Sequence, residues 1–273
     1  MSEHTPGASS GWLAIDAAEK PDDFIAYLDH VAAKFRKQRL DLLRKLHLPA
    51  GGIALDVGCG TGDMILDLLE RVTPTVRAVG VDASEAMVTT ARARAAERGV
   101  TAEFVVGDAE AMDFPNDFFD AVVCSRVLVH VKDPARAFCE IGRVLSSGGR
   151  AVVADFDWDS ALVDADDLRT TGAVRAALTA GIAQPAIGRQ LRRLAVAAGL
   201  RIDEFSGSVV ELSHTLSEAD EIAQLSARLH DAVESGAVTR AAADRWLAEM
   251  TAASGTDRFL FAAPSFVLCA CKP

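Results

Sequence analysis

Three carboxylates and a run of glycines are the residues of this chain best placed to do chemistry. Asp56, Asp82 and Asp108 each close a short run of β-forming residues (IALD, VRAVGVD and AEFVVGD). The first run opens into Gly58-Cys59-Gly60-Thr61-Gly62, after which a helical pattern begins. A buried strand, a glycine turn and a helix start follow from that pattern. Glycine there permits positive φ and lets a ligand approach closer than a Cβ would allow. The helix that follows offers unpaired N–H groups and a positive dipole end. A dinucleotide site needs G-x-G-x-x-G, which leaves room for a pyrophosphate. Here the spacing is G-x-G-x-G, and Asp56 ahead of it repels phosphate but suits an ammonium. Asp82, 20 residues past Gly62, is placed to accept both hydroxyls of a ribose.

The elements that must hold these groups alternate along the chain. Strands are expected at 53–57, 76–81, 102–106, 119–124 and 150–156. Helices are expected at 61–71, from Ser84 to Gly99, and from Asp133-Pro134 until Gly148-Gly149 breaks the last one. Repeated β-α units of this length predict an α/β fold: a doubly wound, mostly parallel, seven-stranded Rossmann-like sheet with a helical lid. The ligand crevice then lies at the carboxyl ends of the first strands. Apolar residues from Phe24 to Leu46 recur at helical spacing and make residues 1–47 an N-terminal helical lid carrying the only tyrosine, Tyr27. Residues 48–273 form the core. Within it, 160–198 and 213–256 are expected as substrate-side helical inserts, with helices at 161–181, 185–198, 217–234 and 239–253. A dimer-forming insert is the rival reading, so a homo-oligomer is compatible with the sequence. Strand 200–211 and a closing strand at 259–271 complete the sheet.

The block LDVGCGTG resembles motif I of the class I S-adenosylmethionine-dependent methyltransferases. The block FDAVVCSRVLVHVKDPARAFCEIGRVLSSGGR is similar to later motifs of the ubiquinone/menaquinone-methyltransferase-like group. The resemblance covers residues 50–157 well, and beyond them only the layout and the closing RFLFAAPSFVLCACKP. It implies S-adenosylmethionine as cofactor and an antiparallel last strand. It also implies that Asp56, Gly58, Cys59 and Gly60 hold the amino-acid end, Asp82 the ribose, and Asp108-Ala109 the adenine, with Ala83 and Met87 flanking the ring. Ser125 completes the set. A basic cluster from Lys34 to Lys45 is most simply a solvated helix face, with Arg36 the candidate for the cofactor carboxylate. His130, past the fourth strand, is the candidate general base or else packs over the methionine end, with Tyr27 a weaker catalytic candidate and His214 weaker still. Trp158 and Asp157 are expected at the acceptor, Trp158 by stacking on an aromatic ring.

No N/D-P-P-Y/F/W follows the fourth strand, where Cys124-Ser125-Arg126-Val127 stands, so methylation of nucleic-acid bases is disfavoured. No constellation of acids suggests a metal. The acceptor expected is a small natural-product or secondary-metabolite intermediate. The alternatives are a quinone or lipid-like substrate, or a non-catalytic cofactor-binding protein. A net charge of −11 argues against nucleic acid or an anionic membrane as partner. Five cysteines without a C-x-x-C, no membrane-length apolar run and no signal-peptide pattern predict a cytoplasmic protein with reduced thiols.

Overall fold

The computed structural model describes residues 21–72 and 75–273, with the side chains of residues 21–24, 26 and 27 outside that description. Five parallel strands form the centre of the sheet. They are β1 (Ile53–Val57), β2 (Arg77–Asp82), β3 (Glu103–Val106), β4 (Phe119–Ser125) and β5 (Leu145–Phe156), in the order β3-β2-β1-β4-β5. One short strand and two long ones lie beside β5 at the far edge. The closing strand β8 (Phe261–Cys271) runs antiparallel to β5, then meets the two-residue β6 (Leu162–Val163) near its start. The long β7 (Arg201–Ser213) pairs along the whole of β8. Among the described residues the sheet therefore has eight strands rather than seven, the extra one being β6. Chain order reverses between β1 and β4, so the crevice opens at the carboxyl ends of those two strands.

Strand residues alternate between two cores, as a period of two requires. Ala54, Val123 and Val152 face α2 (Arg36–Arg44), α3 (Asp63–Asp67) and α4 (Glu85–Glu97). Leu55, Val57, Val122 and Val153 face α5 (Pro134–Val144) and α7 (Ile187–Ala197). A third apolar cluster gathers around Trp246, uniting α6 (Leu168–Ala180), α8 (Leu216–Ala223), α9 (Leu225–Glu234) and α10 (Arg240–Ser254) beside Phe156 and Phe261. The Trp246 indole N–H is satisfied there by Thr171 Oγ1 at 2.9 Å.

Local sequence chemistry set several boundaries as expected. Ser84 accepts from Met87 N at the start of α4, and Asp133 from Arg136 N at the start of α5. Elsewhere the structure corrects the expectation. The helix after the glycine turn is only α3, continued by a π turn over Leu68–Val72. The helix ahead of Gly148-Gly149 stops at Val144, and those glycines sit where β5 shifts register against β4, with Gly148 at φ +76. The expected helix 161–181 starts late, because Asp167 caps α6 by accepting from Arg169 N and Thr170 N. The expected helix 217–234 splits at Gln224 (φ 54), where the Asp220 carboxylate accepts from both N and Oγ of Ser226. The N-terminal helix is likewise two, α1 (Pro21–Lys34) and α2, joined at the buried Phe35.

Candidate active site

The glycine turn is clamped to the end of β2. Gly58 N and Cys59 N both donate to Val81 O, at 2.8 and 3.0 Å. Two of its glycines are required for different reasons. A Cβ on Gly58 would stand 2.2 Å from Val127 Cγ2, so no side chain fits. Gly60 (φ +51) has no atom within 4 Å of where its Cβ would be, and it lines a cavity. Gly60 N donates to Asp82 Oδ2 at 2.8 Å, while Asp82 Oδ1 accepts from Ser84 N at 3.0 Å. The Asp82 carboxylate is thus fixed between the turn and the start of α4, and a carboxylate has lone-pair capacity beyond two such bonds.

Behind the turn, Asp56 is buried and its Oδ2 has no hydrogen-bond partner among the described residues. Burial, then the neighbouring Asp82, push its carboxyl well above the ordinary aspartate range, while Arg39 and Arg126 pull the other way. An orphaned buried oxygen in an opening is a place for a donor the protein itself does not provide. Asp108 lies two residues past β3 and accepts from Glu110 N at 2.8 Å. Asp56, Gly58, Cys59, Gly60, Asp82, Ala83, Met87, Asp108, Ala109 and Ser125 all line one cavity of about 840 Å³, and so do His130 and Trp158.

Three expected residues, Arg36, Asp157 and the weaker candidate His214, are not brought there. Arg36 is half exposed and points to Asp67, its Nε 3.8 Å from Oδ1; Arg39 lines the cavity in its place. Asp157 is buried outside the cavity, its carboxylate taken by Arg189 of α7. The side chain of Tyr27 lies outside the described residues. His214 is exposed, beside Glu211 at 3.1 Å.

The cavity also contains Asp155, which strand alternation pairs with Asp157 at the end of the fifth strand, and groups that pattern reading did not single out, Arg126, Phe35 and Phe156. Asp155, near the end of β5, is buried with Oδ2 accepting from Val129 N (3.1 Å) and Oδ1 from Phe156 N (2.9 Å). Burial raises its pKa to about 7, against the pull of those bonds and of Arg126. Arg126, at φ +61 just past β4, lays its guanidinium 5.1 Å from the centre of the Phe35 ring. Phe35 meets Phe156 edge-on at 5.7 Å, and Phe156 meets Trp158 at 5.3 Å. His130 goes the other way from Asp155: burial lowers its pKa to about 4, leaving a neutral ring that is a weak base at neutral pH.

The methyltransferase-domain family matches residues 55–153. An uncharacterized 37.1 kDa protein of transposon TN4556 from Streptomyces fradiae is 35% identical over 238 residues, 85% of this chain and 67% of that one. The demethylmenaquinone methyltransferase of Thermus thermophilus is 41% identical over 102 residues. A ubiquinone/menaquinone C-methyltransferase of Geobacter sulfurreducens is 36% identical over 123 residues. The chain is a class I S-adenosylmethionine-dependent methyltransferase. Matches to the two quinone enzymes span 37% and 44% of this methyltransferase and only 46% and 48% of their own lengths. Among solved structures, BH2331 of Bacillus halodurans, inferred to be a methyltransferase, shares the fold with a TM-score of 0.64 at 22% identity, covering 87% of this chain and 99% of that one. No described helix of the methyltransferase is long and apolar enough to cross a membrane.

The cavity suits the family's cofactor on its own chemistry. An unpartnered buried carboxylate oxygen at Asp56 can take an ammonium, the side-chain-free face of Gly60 can take close contact, and Asp82 can accept from a diol. These three groups lie at adjacent strand ends, as one extended ligand needs.

Proposed function

We propose that the enzyme methylates a small, largely apolar, ring-bearing acceptor of the natural-product or secondary-metabolite kind. The observation that carries this reading is the apolar part of the cavity's lining. Phe35, Phe156 and Trp158 stand there with Leu178, Ile182 and Leu212. Ile222 and Ala223 of α8 extend it. Much of this lining comes from α6, β7 and α8, beyond the 55–153 stretch that matches the family. In this reading α1 and α2 form the lid, and segments 160–198 and 213–256 form the substrate side.

S-adenosylmethionine supplies, when bound, a methyl group already activated on a sulfonium. The chain's own task is to hold the acceptor close, aligned and dry, which supplies most of the rate. Asp56 holds the ammonium, Asp82 the ribose and Asp108 the adenine amine; Met87 and Ala83 pack on the ring. Trp158 and Phe156 orient the acceptor ring. Where the acceptor must lose a proton, Asp155 is better suited to take it than His130, because its pKa lies near neutrality. His130 then packs over the methionine end.

A quinone acceptor is the second reading, favoured by the names of the Thermus and Geobacter relatives. Radiolabelled methyl transfer separates the two. The enzyme is offered a panel of ring-bearing natural-product phenols and, separately, demethylmenaquinol in vesicles. Label appearing in the phenols supports the first reading; label confined to demethylmenaquinol replaces it with the second.

A further inference from the structure

Among the described residues other than glycine that take positive φ, Arg126 is the one that lines the cavity. Its φ of +61 suits glycine and strains a residue with a Cβ, and such strain is kept at sites that use it. The neighbours of Arg126 hold the conformation. Arg126 N donates to Ala154 O at 2.9 Å, which continues the pairing of β4 with β5 one residue past the strand. Val127, next along, fills the space where a Cβ on Gly58 would stand. Val127 thus packs on the glycine turn, while the Arg126 guanidinium lies over the Phe35 ring, 5.1 Å from its centre.

Resting on the reading above that the cavity takes a ring-bearing acceptor, we infer that this ring carries an acidic hydroxyl and that Arg126 binds its oxygen as the anion. Phe35 and Phe156 offer a ring apolar surface but nothing that an oxygen can bond. A guanidinium adds N–H donors in one plane and stays charged throughout the range in which proteins fold. The face of Phe35 fixes that plane.

The charge matters as much as the donors. A phenol ordinarily keeps its proton until about pH 10. A cation beside it in an apolar-lined cavity favours the ionised form. Arg126 already acts in this sense on an acid of the same cavity, drawing the Asp155 carboxyl down against the burial that raises it. Asp155 is also where the hydroxyl proton goes. Its carboxylate takes that proton and gives it up to water when product leaves. A phenol and a hydroquinone both answer to this pair of groups. An aryl ether or an aryl amine gives Arg126 no anion to hold.

Three probes of similar shape test this on protein loaded with S-adenosylhomocysteine: 4-nitrophenol, 4-nitroanisole and 4-nitroaniline. The first can ionise; the others keep the ring without an acidic hydroxyl. By calorimetry at neutral pH, wild type should bind 4-nitrophenol at least about tenfold more tightly than either of the others. Absorbance of the bound 4-nitrophenol should shift toward that of the yellow phenolate. Arg126→Gly, which suits the φ of +61, should keep a cooperative thermal transition and lose both the preference and the shift. Arg126→Gln, which removes the charge but not the length, should do the same and serves if the glycine variant does not fold. Arg126→Lys should restore part of the preference. Equal binding of the three probes by wild type, or a preference that survives in the folded Gly or Gln variant, overturns the assignment. Wild type that binds S-adenosylhomocysteine but none of the probes overturns the ring-bearing acceptor itself, and the assignment with it.

Discussion

At the scale of single residues, the strand-end acids are the proposed cofactor ligands, and their other bonds make them differ in what a substitution would cost. Asp82 holds Gly60 N and Ser84 N in addition to the ribose it is proposed to bind. Asp82→Ala should cost about 1.5–3 kcal/mol of cofactor binding, about tenfold or more in affinity, measured by calorimetry with S-adenosylmethionine. Asp155 makes the protein's stability depend on pH. Its folded pKa of about 7 lies above the ordinary aspartate value of 3.8, so between those values the unfolded chain has released a proton that the folded one keeps. The stability contributed by protonated Asp155 is full below 3.8 and is lost as pH rises through about 7. Urea denaturation across that window should therefore show wild type losing stability relative to Asp155→Asn, with the difference level above it; a constant difference contradicts the shift. That Asp56, Asp82 and Asp108 share one cavity was legible in the sequence because each stands within two residues of a strand end, next to glycine or a cap. Arg39 was not singled out from its cluster, because the break at Phe35 resets the helical phase that decides which of Arg36 and Arg39 turns inward. Asp157 misled for a related reason. It shares strand alternation with Asp155, but β5 ends at Phe156, and the chain then turns Asp157 toward Arg189.

At the scale of elements, the alternation of strand and helix made the sheet readable, while the helices outside it were readable only as apolar surplus. The divisions of that surplus depend on side-chain caps, such as Asp220 on Ser226, that act across a break no periodicity marks. In the structure α1 is tied to the core by Asp29–Arg94 at 2.8 Å and to α8 by His30–Glu221 at 3.5 Å, both partly exposed and individually weak. If α1 is part of the proposed lid, it opens and closes with the ligand. Amide exchange in residues 25–40 should slow clearly when S-adenosylhomocysteine binds, and deleting residues 1–30 should cost turnover more than stability. Exchange indifferent to ligand would make α1 scaffold. The insert helices answer to a different test. Trp246 is fully buried at their centre, so Trp246→Ala should destabilise by about 3–5 kcal/mol in urea denaturation. A loss under about 1 kcal/mol would mean that α6 and α8–α10 do not form one packed unit.

For the whole molecule, the proposed arrangement is a cofactor half within the stretch that the family model matches and an acceptor half drawn largely from the segments after it. The reversal of chain order between β1 and β4 gathers Asp56, Asp82 and Asp108 at one end of the sheet, and the later segments line the same cavity. Gly60 lies on the cofactor half with its missing side chain directed into that cavity. Calorimetric titration of wild type and Gly60→Val with S-adenosylhomocysteine, with NADH as the competing ligand, tests the cofactor assignment most directly. Wild type should bind S-adenosylhomocysteine at one per chain and give no heat with NADH. Gly60→Val should bind neither while keeping a cooperative thermal transition. Wild type that ignores S-adenosylhomocysteine, or a folded Gly60→Val that binds it as well as wild type does, contradicts the placement of the cofactor at this turn.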